Sequence, residues 1–254
     1  MTRTLAEVAL EASTCTRCKL ADMGRTQVVV GVGHPDADLM FIGEAPGFHE
    51  DKQGEPFVGA AGQLLNRLLG EIELSRGDVY IANVLRCRPP GNRDPEPDEI
   101  EACTPWLIET ISLVQPRLIM TLGNFATKYV LQTTQGITRM RGTVHSWHGR
   151  TVIPTFHPAA ILHGGGEKSP QFQDMREDFA LVRRTLAGGV APQGVQPPAE
   201  PSSAEPPADM PRTAAPPTAA PEPVREVPTP GMAARPDRPV IVPAPPDEEQ
   251  LELF

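Results

Sequence analysis

Proline divides this chain before any element is assigned. Of 30 prolines in 254 residues, 12 fall in residues 1–190 and 18 in the last 64. A stretch so rich in a residue without a backbone donor, with Phe254 as its one aromatic, buries too little apolar surface to offset its ordering entropy. Residues 188–249 therefore read as a disordered, acidic Pro/Ala-rich linker. Residues 1–187 suit one folded domain, burying roughly 70% of its unfolded surface. No apolar run approaches the ~20 residues of a membrane helix. The opening MTRTLAEVALEASTC carries Glu7 and Glu11 inside its apolar periodicity, unlike a signal peptide. A cytoplasmic protein is expected. The formal charge of −9 is mostly the tail's: residues 191–254 hold 4 basic and 10 acidic side chains, the remainder 19 and 22. A domain near −3 does not exclude nucleic acid, because a local basic patch can supply the contact.

Four cysteines, Cys15, Cys18, Cys87 and Cys103, form one C-x2-C pair and a wide second pair. Without a secretion signal, disulfides are disfavoured. Two thiolates at C-x2-C grip a metal centre from one turn, and two from distant segments complete a tetrahedral set for zinc or an iron–sulfur cluster. The wide second pair argues against a zinc ribbon. Four buried cysteines acting as small hydrophobes is the bland alternative, opposed by the polar TCTRCKL context of Cys15 and Cys18.

Apolar runs alternate with helical stripes. Residues 38–43, 78–85, 117–123 and 150–156 read as strands; residues 60–71, 97–114, 124–131 and 171–187 read as helices. The pattern predicts an α/β fold: a three-layer α/β/α sandwich around a four-stranded, mostly parallel sheet. Ligands of such folds gather beyond the carboxyl ends of the strands, where this chain places Gly43–Gly47, Asn83, Gly123-Asn124 and His157-Pro158.

Gly43-Glu-Ala-Pro-Gly47, Pro56-Phe-Val-Gly59, Asn83-Val-Leu-Arg-Cys-Arg-Pro-Pro-Gly-Asn-Arg and His157-Pro-Ala-Ala-Ile-Leu162 stand in this order around the four cysteines. The combination resembles the family-4 uracil-DNA glycosylases, over roughly residues 5–187. The resemblance implies a monofunctional, monomeric DNA-repair enzyme of the cytoplasm and nucleoid, acting on double- and single-stranded uracil-containing DNA, with a 4Fe-4S cluster on the four cysteines. It implies that Phe57 stacks on a flipped-out uracil, that the Asn83 amide reads the base edge, and that His157 and the Ala45 N–H meet uracil O2. The water-activating carboxylate is expected to be Glu50, for its loop position, or else Glu44, the alternative roles for either being to restrict the pocket near uracil C5 or to stabilise the cationic sugar. Ile161 and Leu162 are expected to wedge into the duplex, and Lys168, Arg86, Arg88 and Arg93 to meet phosphate.

Two rivals belong to other classes. A relative of the family forms a covalent bond to uracil-derived DNA through a histidine in an extended basic loop, but the stretch RPPGNRDPE after Cys87 has neither histidine nor insertion. A zinc-dependent nucleotide-binding or regulatory module would use the cysteines only structurally. At the far end of the linker, Gln250-Leu-Glu-Leu-Phe254 resembles the short peptide by which bacterial repair proteins dock on the β sliding clamp. Gln250 would bond the pocket rim while Leu253 and Phe254 fill an apolar cleft.

Overall fold

The computed structural model describes residues 3–188. The tail, with the linker and Gln250–Phe254 readings, lies outside the described residues. The first helix, α1 (Leu5–Ser13), starts at a reciprocal cap: the Thr4 hydroxyl accepts from Glu7 N while the Glu7 carboxylate accepts from Thr4 N. Short β1 (Val32–Gly33) precedes β2 (Leu39–Gly43), α2 (Phe48–Gln53) and α3 (Ala60–Glu71). Then come β3 (Tyr80–Asn83), α4 (Pro97–Val114), β4 (Leu118–Leu122), α5 (Gly123–Leu131) and α6 (Ile137–Met140). The domain closes with β5 (His145–Trp147), β6 (Arg150–Thr155), α7 (Pro158–His163) and α8 (Pro170–Leu186). Proline opens α4, α7 and α8 at a position where its missing N–H costs nothing.

The sheet has six strands, ordered β1-β3-β2-β4-β6-β5, where four were expected. The central four are parallel, as read; β1 and β5 add antiparallel edges. The edges escaped notice because they are two and three residues long and partly exposed, and so carry no apolar run. Central β2 and β4 are buried along their whole length, as strands covered on both faces must be. Alternate residues serve opposite faces. Leu39 and Phe41 pack with the Leu64, Leu65, Leu68 and Leu69 stripe of α3 and with Met175, Phe179 and Val182 of α8. Met40 and Ile42 pack with Leu107, Ile111 and Val114 of α4 and with Ala126 and Val130 of α5. Each fully buried leucine contributes about 1.5–3 kcal/mol of transfer free energy, which anchors the strand ends that carry polar groups. A third cluster joins Val8 and Ala12 of α1 to Leu85, Cys87, Cys103 and Trp106. Among the described residues no helix is long and apolar enough to cross a membrane.

Candidate active site and cysteine centre

The parallel strands deliver their carboxyl ends to one cavity of about 440 Å³. Glu44 follows β2, Asn83 ends β3 and His157 follows β6; Phe57 and Glu50 enter from the 47–59 loop, which contains the short helix α2. Asn83 is 2% exposed, and its Oδ1 has no hydrogen-bond partner among the described residues. Such a buried, unpaired acceptor costs about 1–3 kcal/mol unless a ligand satisfies it. Gly43, its register partner on β2, makes the arrangement possible. A Cβ there would sit 2.4 Å from Asn83 Oδ1 and 2.7 Å from Phe57 Cζ.

Phe57 is held with φ of +55°, buried beside the His157 ring at 5.6 Å between centroids. Two supports that the sequence did not reveal fix it. Arg76 donates to Pro56 O at 2.7 Å and Phe57 O at 3.1 Å. The first turn of α3 presses on the same backbone, where a Cβ on Gly62 would lie 1.7 Å from Phe57 O. His157 Nδ1 accepts from Ala159 N at 3.2 Å, which leaves Nε2 to carry the ring proton. Burial pulls the imidazole down to about 4, against a smaller upward pull from Glu50. At neutral pH the ring is an uncharged donor.

The two carboxylates differ. Glu50 accepts from Gly47 N at 3.1 Å, Val58 N at 3.0 Å and Gly59 N at 3.1 Å, and so staples both ends of the loop. Its neighbour Asp51, another residue the sequence reading passed over, accepts from Thr26 N at 2.8 Å and ties the loop to the segment before β1. The Glu44 carboxylate makes no hydrogen bond among the described residues; burial, and then the charge of Asp94, push it up to about 7. Ala45 also lines the cavity, as does exposed His163.

Two of the expected DNA contacts are corrected. Arg86 cannot reach phosphate: it is 1% exposed, and its guanidinium donates to Asn83 O, Trp106 O and Thr110 Oγ1. Ile161 cannot wedge into a duplex, because it is 2% exposed and packed into the core under α7. Leu162 is partly buried against the same core. Arg93 lines the cavity, but its charge is engaged by Glu99 at 2.9 Å. Lys168 is exposed, and Arg88 is partly exposed with Nε donating to Asn92 Oδ1 at 2.6 Å.

A second cavity gathers Cys15, Cys18, Cys87 and Cys103 among Leu20, Val28, Leu85 and Trp106, all four as free thiols. Three sulfurs receive donors: Trp106 Nε1 to Cys15 at 3.3 Å, Arg25 Nη1 to Cys87 at 3.1 Å, and Arg86 N to Cys103 at 3.3 Å. Among the described residues no group of three or more His, Cys, Asp or Glu is set to hold a single metal ion. Thiolates on one tetrahedral zinc lie about 3.8 Å apart, given a Zn–S bond of about 2.3 Å; a cubane cluster spreads them further. Arg86 provides an independent test of fit. It is a fully buried cation with Nε unpartnered and no carboxylate in salt-bridge range among the described residues. Burying an unpaired cation costs several kcal/mol, and an anionic thiolate centre beside it would offset that cost. The donor set fits a four-thiolate cluster.

The chain is similar in sequence to known proteins. The model of the uracil DNA glycosylase superfamily matches residues 30–180. A type-4 uracil-DNA glycosylase of Sulfurisphaera tokodaii is 44% identical over 189 residues, covering 70% of this chain and 83% of the relative. One of Thermotoga maritima is 47% identical over 150 residues, covering 58% and 78%. A type-5 uracil-DNA glycosylase of Thermus thermophilus is 37% identical over 118 residues, covering 41% and 53%.

Proposed function

The chain belongs to the uracil-DNA glycosylase superfamily, with type-4 enzymes among its relatives, and from that premise we propose that it removes uracil from DNA by hydrolysing the N-glycosidic bond of deoxyuridine. The product is an abasic site, the first intermediate of base excision repair. The observation that carries the mechanism is the unpartnered, buried Oδ1 of Asn83 in the cavity that also holds His157.

Inside a duplex the reacting bond is out of reach, so the nucleotide flips into the cavity at a cost of a few kcal/mol, least at a mismatch. Phe57 stacks on the base. Asn83 Oδ1 accepts from uracil N3–H, and its amide N–H donates to O4. Cytosine presents the inverse pattern and would leave both groups unsatisfied. Cleavage develops negative charge on uracil and positive charge on the sugar. The Nε2–H of neutral His157, with Ala45 N–H, stabilises the charge at O2. Glu44 takes the proton of the attacking water, because its carboxylate is uncommitted and its proton affinity lies near working pH. Glu50, with three N–H donors already on it, is a positioning residue for the loop that bears Phe57. This assignment reverses the preference drawn from loop position alone.

Cys15, Cys18, Cys87 and Cys103 would hold a 4Fe-4S cluster, which supplies a cross-link between the start of the chain, the β3–α4 connection and α4. Glycosidic hydrolysis transfers no electron, so no step of the reaction needs it. The clamp is proposed as a partner through Gln250, Leu253 and Phe254, outside the described residues.

The test is base choice. Wild type should release free uracil from an oligonucleotide with one deoxyuridine and leave the matched deoxycytidine strand intact. Asn83→Asp should lose about tenfold in uracil excision, within the range for an unmade buried hydrogen bond, and gain measurable cytosine excision. Unchanged discrimination in Asn83→Asp would remove the residue from recognition.

A further inference from the structure

Phe48 is the one aromatic among the large hydrophobic side chains left exposed in the described residues, at 49%. Single exposed apolar residues are ordinary on a protein surface, but this one has company. The Arg88 guanidinium stands 5.1 Å from its ring centroid, the Lys52 ammonium 5.9 Å, and the His49 ring meets it edge-on at 5.5 Å. Neither Arg88 nor Lys52 has a salt-bridge partner among the described residues, whereas nearby Arg93 is engaged by Glu99. The group also borders the uracil cavity directly. Gly47 and Pro89, the chain neighbours of Phe48 and Arg88, both line it, and one residue step is about 3.8 Å.

We propose that Phe48, Lys52 and Arg88 form a contact for the unpaired base and phosphates flanking the flipped uridine, which makes single-stranded DNA the preferred form of the substrate. An exposed ring beside cations that no carboxylate pairs is the combination that grips single strands, through base stacking and phosphate attraction. In a duplex the neighbouring bases stay stacked and offer the ring no face. The two cations would still meet phosphate there, so the ring alone distinguishes the two forms. The inference rests on the glycosylase reading and deepens it by naming the substrate's form.

Binding is measured with labelled oligonucleotides carrying one 2′-fluoro-deoxyuridine, whose fluorine resists cleavage by destabilising a cationic sugar. Phe48→Ala should weaken single-strand binding about tenfold, within the range for losing one base–aromatic stack, and duplex binding less than twofold. Phe48→Trp should retain single-strand affinity. Lys52→Gln with Arg88→Gln should lower the slope of log K against log salt by about 1.4 on the single strand. Equal losses on both forms, or none on either, would overturn the proposal. Uracil release by wild type is scored separately: if it is intact while Phe48→Ala binds single strands normally, this inference alone fails.

Discussion

Asn83 of the uracil cavity and Cys87 of the cysteine centre are four residues apart in the chain, yet the two regions deploy their polar atoms differently. In the cavity, Asn83 Oδ1 is buried without a partner, the Glu44 carboxylate is uncommitted and raised to about 7, and Phe57 is held at positive φ. At the centre, three of the four sulfurs receive an N–H, and two of those donors belong to arginines. One region holds unmet demand that a base and a water can satisfy; the other turns N–H donors toward its sulfurs and leaves Arg86 Nε without a partner among the described residues, a demand that an anionic cluster would meet. Between them lies Arg86, whose guanidinium bonds the Asn83 carbonyl and whose N–H bonds the Cys103 sulfur. Catalysis and stability should therefore separate under mutation, with Arg86 as their one shared part.

Cys87→Ala strikes the centre hardest. Structural metal sites carry apparent binding free energies of about 10 kcal/mol that count toward folding, so iron content and Tm should both fall steeply. Retained iron and an unchanged Tm would show that the ligands are misassigned. In the cavity, His157→Ala should lower the single-turnover rate by roughly 10²–10³, the range for one lost oxyanion donor, with Tm falling only a few degrees for the lost cap on Ala159 N. An unaltered rate would take His157 out of the mechanism. Glu44→Gln should cost about 10², the lower end for a general base, and alter the pH profile. Because the base must be ionised, the wild-type rate should rise with pH through about 7, where Glu44 titrates; the variant should lack that rise. A variant that kept the rise would return the role to Glu50. The smallest effect belongs to the tail. Removing residues 189–254 should leave excision from short oligonucleotides within twofold. A peptide of residues 245–254 should bind the clamp at micromolar Kd and lose it in Leu253→Ala with Phe254→Ala; equal binding by both peptides would refute docking.

What was legible in the sequence follows the same division. Helices α3 and α4 match their expected bounds, because an apolar stripe with period 3.6 and an acidic, proline-led first turn are local signals. The strands were read one to four residues too long, the most at β3, where Val79, Val84 and Leu85 continue its apolar run. Helix α2 was missed because Phe48-His-Glu-Asp-Lys-Gln has no stripe. Glu44, Ala45, Asn83 and His157 were legible as strand-end positions from the alternation, whereas Glu50 and Phe57, and the roles of all six, came from the family resemblance; the six line one cavity. Arg86 and Ile161 were misplaced because a sequence shows charge and apolarity but not burial. Arg76 and Asp51 were passed over because they act through backbone atoms distant in the chain. The room for the Asn83 side chain comes from its register with Gly43, which only the folded sheet displays.

The decisive measurement is product per enzyme. Wild-type protein is incubated with a tenfold excess of an oligonucleotide bearing one deoxyuridine. Free uracil and alkali-cleaved strand are then counted, and protein-linked DNA is resolved on a denaturing gel. Several equivalents of uracil per enzyme, with no protein-linked band, are expected of a cavity that binds, cleaves and releases. A single equivalent locked in a covalent band, or intact DNA with no uracil released, would contradict it.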